Sequence, residues 1–167
     1  MVRVMGIDPG LAIAGFAILE GDSQHMRALH YGSIETKSNL TLPCRLRQLY
    51  DAVTELIREF CPQELAVEDL FFNRNVTTAF TVGQARGVFL LAAEQQGLIY
   101  YQYTPAQVKQ AVTGYGRADK PQIQQMVKVL LGLPAVPKPD DTADALAIAI
   151  CHLQSSGMRQ ILMERGK

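Results

Sequence analysis

From Val2 to Glu35 apolar and polar residues alternate in three β-rich runs: Val2 to Asp8, Ala12 to Glu20, and roughly His25 to Glu35. Gly10 and the stretch Glu20-Gly21-Asp22-Ser23 supply turn signals between them, which predicts a three-stranded antiparallel meander. The period then changes. Leu46, Leu49, Val53, Leu56, Ile57 and Phe60 fall three and four apart, so Leu42 to Phe60 reads as an amphipathic helix starting near Pro43 and stopped at Cys61-Pro62. Glu64 to Asp69 is a short buried strand, Val76 to Gln96 a long helix closed by Gly97, and Leu98 to Tyr103 another strand. Thr104-Pro105 opens a helix through Val112, and Gly114 to Arg117 form a loop. A further helix runs from Lys120 to Leu131. Three prolines make 134–139 an extended connector, and Asp140 or Asp141 caps a last helix that ends at Ser156, before Gly157.

Three strands, helix, strand, helix, strand and then helices describe an α/β layered domain whose later strands suit parallel crossovers. The chain has 167 residues, 48% of them apolar, which sets one domain over 1–157 with a real core. The tail from 158 to 167 is expected to be partly disordered and is assigned no role. The opening apolar run reaches Asp8 too soon to be a signal peptide, and no stretch approaches about 18 unbroken apolar residues, so no membrane span is expected. Cys44, Cys61 and Cys151 are odd in number and outside any CxxC pattern, which suggests reduced thiols in a cytoplasm.

Formal charge balances, with 16 basic and 16 acidic residues, and lends a nucleic-acid partner no support. The distribution says more. Between Phe71 and Lys138 stand Arg74, Arg86, Lys109, Arg117, Lys120, Lys128 and Lys138, against only Glu94 and Asp119. A solvated charged face is the ordinary explanation of such a bias.

Four acids sit where an apolar element begins or ends. Asp8 leaves the first strand into Pro9-Gly10, where a turn-capping aspartate is common. Glu68 ends the apolar run Leu65-Ala66-Val67, where an unpartnered carboxylate is costly; Asp69 should point to the opposite face. Asp141 and Asp144, three apart, share one face of a first helical turn, a place that the helix dipole alone favours for acids. Asp140 and Asp144 would share a face too, so spacing leaves Asp140 in play. Packed together these acids repel, and a hard divalent cation such as Mg²⁺ resolves that conflict with carboxylate and water oxygens alone.

The runs Met5-Gly6-Ile7-Asp8-Pro9-Gly10, Ala66-Val67-Glu68-Asp69-Leu70-Phe71, Gly83-Gln84-Ala85-Arg86-Gly87, Val108-Lys109-Gln110 and Asp141-Thr142-Ala143-Asp144-Ala145-Leu146-Ala147-Ile148-Ala149 resemble the RuvC family of bacterial Holliday junction resolvases. Order and spacing agree from Met5 to about His152. The resemblance implies a ribonuclease-H-like fold, a five-stranded mixed sheet flanked by helices. It implies catalytic, metal-binding carboxylates at Asp8, Glu68, Asp141 and Asp144, favouring Asp141 over Asp140. Two Mg²⁺ ions per site, with Mn²⁺ as a substitute, would hydrolyse a phosphodiester of a four-way DNA junction to 5′-phosphate and 3′-hydroxyl ends. It also implies phosphate-neutralising lysines at Lys109 and Lys120, a junction-facing aromatic at Phe71, a homodimer, and RuvA and RuvB as partners. Phe72 is held as the substitute for Phe71, and Arg74 joins them in a polar loop suited to stacking on an unpaired base. Gly83 and Gly87, four apart, leave a smooth helix surface for close approach, on the chain's own sheet or on a twin helix, at roughly 2 kcal/mol of lost helix propensity. Actin-like ATPases share a similar first turn, but their duplicated fold exceeds this length. A non-catalytic DNA-binding module and a ribonuclease H are the other readings, separable by nicking and by substrate.

Overall fold

A computed structural model describes the backbone of residues 1–69 and 76–165, and the side chains of 1–69 and 78–155. Three strands, β1 (Val2–Asp8), β2 (Ile13–Gly21) and β3 (Met26–Glu35), form the expected antiparallel meander. Helix α1 (Leu42–Phe60) leads to β4 (Glu64–Glu68), and α2 (Val76–Gln95) leads to β5 (Ile99–Tyr103). Both later strands pair in parallel, β4 on β1 and β5 on β4, giving a five-stranded mixed sheet in the order β3-β2-β1-β4-β5. Helices α3 (Pro105–Thr113), α4 (Lys120–Leu130) and α5 (Asp140–Arg165) complete the fold. This is the ribonuclease-H-like arrangement expected from the sequence.

Strand alternation divides the core into two layers. Met5, Ile7, Leu65 and Val67 face α1 and α2, where Leu49, Val53, Ile57, Ala85 and Phe89 cover them. Val4 and Ala66 face the other side, toward Val108 of α3, Val127 of α4 and the run Ala145 to Leu153 of α5. Asp8 and Glu68 share the parity of Val4 and Ala66, so they point toward α5. Two glycines let α5 lie hard on the sheet: a Cβ on Gly6 would stand 2.4 Å from the Ala145 carbonyl oxygen, and one on Gly15 only 1.8 Å from that of Asp141. No side chain larger than hydrogen fits at either place.

Both short helices begin with reciprocal caps. Thr104 accepts from the Gln107 amide while the Gln107 side chain accepts from the Thr104 amide. Asp119 and Gln122 do the same for α4, which fixes Lys120 as the first helical residue. Two details depart from the sequence reading. Asp140 and Asp141 are the first residues of α5 and not its cap. The α5 backbone also stays helical through Gly157 to Arg165, because one glycine costs only about 1 kcal/mol and helix formers follow it. Among the described residues no helix is long and apolar enough to cross a membrane.

Candidate active site

Asp8 and Glu68 close adjacent parallel strands, each one residue past the Ile7–Val67 pair. Asp8 therefore ends the central strand, beside Glu68 on one flank and Gly15 of β2 on the other. The first turn of α5 rests on β2 at Gly15 and brings Asp141 and Asp144 to the same strand ends. Asp8, Glu68 and Asp144 then line one cleft of about 270 Å³ with Lys109 of α3 and Lys120 of α4.

Electrostatics ties the four acids together. Burial pushes the Asp8 carboxyl up to about 7, and the charges of Asp144, Asp141 and Glu68 push the same way, against Lys120. Glu68 is raised by burial and then by Asp144, with Lys109 opposing. Asp144 is raised by burial and by Asp141 and Asp140, with Lys120 opposing. These charges destabilise one another where they stand, which is the condition a divalent cation relieves. The all-oxygen donor set fits a hard cation. Among the described residues, however, no three acids, histidines or cysteines stand close enough together to hold a metal ion as they are placed. The site is an open carboxylate cleft.

Lys120 bridges two acids, with Nζ 3.1 Å from Asp144 and 3.5 Å from Asp140. Burial works to lower its pKa, but the bonds to Asp144 and Asp140 outweigh that and raise it. Asp140 has partners of its own. It accepts from Gln124 Nε2 at 3.0 Å and from Lys138 Nζ at 3.3 Å, and with Lys120 these hold its carboxyl below the usual range.

The remaining expected residues scatter. Phe71, Phe72 and Arg74 lie outside the described residues. Gly87 is exposed, and a Cβ there would meet nothing within 4 Å, so it does not pack on its own sheet. Gly83 is half-buried on the same helix. Asp69 is half-buried, and its amide donates to the Tyr103 carbonyl at 2.7 Å. Sequence reasoning passed over two features near the site. Arg45 lines a second groove that reaches Asp141. His152 is fully buried on the α5 face, between the Tyr103 hydroxyl at 2.9 Å and the Glu64 carboxylate.

This arrangement has close counterparts. The model of the family described as crossover junction endodeoxyribonuclease RuvC matches residues 4–152. Relatives of that name from Brevibacillus brevis and Desulfitobacterium hafniense are 58% and 59% identical, over 92% and 91% of this chain and 92% of each relative. The structure of T. thermophilus RuvC in complex with Holliday junction substrate superposes with a TM-score of 0.90 at 37% identity, covering 95% of this chain and 96% of that one. The family model, the identities and the superposition agree: this chain belongs to the RuvC family of crossover junction endodeoxyribonucleases.

Proposed function

We propose that this chain resolves four-way DNA junctions by paired, symmetric nicks, hydrolysing phosphodiesters to 5′-phosphate and 3′-hydroxyl ends during recombination and repair. The observation that carries this reading is the Asp8 carboxyl, raised to about 7 by burial and by three neighbouring acids at the end of the central strand. Two divalent ions, Mg²⁺ or Mn²⁺, held by Asp8, Glu68, Asp141 and Asp144 would acidify a water and offset charge on the departing 3′-oxygen. Asp8, at the end of the central strand, would hold the ions together with Glu68 and Asp144. Asp141 orients the attacking water or completes the ligand set. Lys109 and Lys120 offset the acids so that a phosphate can approach them.

Cutting a two-fold junction symmetrically calls for two matched sites. Helix α2 offers a surface for a second copy: Phe80 is 68% exposed and Leu91 53% exposed, on the face that carries Gly87. Large apolar side chains grouped around a glycine on a helix suit close helix–helix contact. In this reading Phe71 stacks on an unpaired base near the junction centre, with Phe72 and Arg74 beside it. In the same reading RuvA and RuvB are its partners, and it acts in the cytoplasm on the bacterial chromosome.

Substrate choice tests the reading. The chain should nick a synthetic four-way junction in Mg²⁺ at paired positions on opposite strands, and leave linear duplex and RNA–DNA hybrid almost intact. Preference for the hybrid would convert the reading into a ribonuclease H.

A further inference from the structure

A second groove, of about 410 Å³, is lined by Asp141 and shares no residue with the lysine cleft. The turn between β1 and β2 walls it at Gly10, α2 contributes Thr78 and Thr81, and α1 contributes Arg45. Arg45 is fixed from behind. Its Nε donates to the Thr36 hydroxyl at 2.8 Å, and that hydroxyl donates to the Leu11 carbonyl at 2.6 Å. The Thr36 amide in turn donates to the Ala12 carbonyl at 3.0 Å. The guanidinium is thus referenced to the turn that follows Asp8. Among the described residues its terminal Nη nitrogens meet no acceptor, and Asp141 does not pair with it although both line the groove.

A guanidinium oriented in advance, with its outer edge open, is built to take a planar or tetrahedral oxyanion in two hydrogen bonds. Asp8 lines the lysine cleft and Asp141, whose charge acts on Asp8, lines this groove, so one extended strand laid across the acids would reach both. We propose that the groove holds a phosphodiester of the cleaved strand that flanks the scissile one, with Arg45 as its principal ligand. This assignment rests on the reading of the chain as a junction nuclease, and it gives the strand a cationic hold on each side of the acidic centre.

The test neutralises DNA and protein together. Junctions carrying a single methylphosphonate at each position around the cut are bound, in EDTA, by the full-length wild type and by R45Q. One flanking position should cost the wild type about tenfold in affinity and cost R45Q nothing further. The slope of log affinity against log salt should also flatten in R45Q by about 0.9 for each groove engaged. R45K, which keeps the charge and loses the fork, should restore the slope but only part of the affinity. It serves in place of R45Q if that variant does not fold, with the methylphosphonate penalty then falling several-fold. Equal penalties in wild type and variant at every position, with an unchanged slope, would overturn the groove assignment alone. A wild type that neither binds nor nicks the junction would end the functional reading, and this inference with it.

Discussion

Lys120 holds its ammonium 3.1 Å from the Asp144 carboxylate and at the same time 3.5 Å from Asp140, so one side chain bridges two acids of the first turn of α5. It is positioned by the reciprocal cap of Asp119 and Gln122, which begins α4 at that residue. The ammonium lowers repulsion within the cleft, and in the proposed reading it also offsets the charge of an incoming phosphate. Replacing Lys120 with Met should slow junction nicking by about 10²–10³, the usual loss when one stabilising group is removed from a developing charge. Junction binding should stay within a few-fold, as measured by anisotropy in EDTA.

The division of labour between Asp140 and Asp141 is directly testable. Asp140 is engaged by Gln124, Lys138 and Lys120, while Asp141 acts on Asp8. Asp141→Asn should abolish nicking. Asp140→Asn should lose less than about tenfold, through a looser Lys120. Equal losses in a single-turnover assay would return Asp140 to the ligand set.

Asp8 makes stability depend on pH in an unusual direction. Its folded carboxyl is raised to about 7 against an ordinary 3.8, so the folded chain binds that proton more tightly than the unfolded chain does. Without divalent ions, stability should therefore be greatest near pH 4 as far as this group is concerned, and fall as pH climbs through about 7. Asp8→Asn removes the penalty. It should gain about 2 kcal/mol over the wild type at pH 8 and almost nothing at pH 4, with the full shift discounted for partial solvent access. Urea midpoints at the two pH values measure the difference, and Mg²⁺ should narrow it by stabilising the wild type alone.

The exposed face of α2 predicts its own disruption. Leu91→Glu places a charge on the surface proposed for the second copy and touches none of the four acids. Sedimentation should show the wild type as a dimer and the variant as a monomer at micromolar concentration. Its nicks should fall on one strand at a time, so that fewer junctions separate into two products per cut.

Much of the fold was legible because its elements obey clean periods. The spacing from Leu46 to Phe60 and the alternation from Val2 to Asp8 gave helix and strand bounds within a residue or two. The acids were legible for a related reason: a carboxylate at the end of an apolar strand demands an explanation. What stayed hidden depends on tertiary contact. His152 lies in an apolar helix and gives no local sign that Glu64 and Tyr103, 88 and 49 residues away, will close around it. Arg45 looks like any polar residue on an amphipathic helix until Thr36 and the β1–β2 turn are set behind it. The α4 cap is the exception, since the Asp119-x-x-Gln122 pattern stands in the sequence and was passed over. The end of α5 was placed too early because a glycine signals a stop without enforcing one.

The most direct measurement is single-turnover nicking of a labelled four-way junction in Mg²⁺ by Asp8→Asn, Glu68→Gln and Asp144→Asn, each beside its junction affinity in EDTA. Each variant should bind within a few-fold of the wild type and cut at least about a thousandfold more slowly, the scale of losing a group that acts as part of a unit. A variant that binds normally and still cuts at close to the wild-type rate would show that the strand-end carboxylates do not act together.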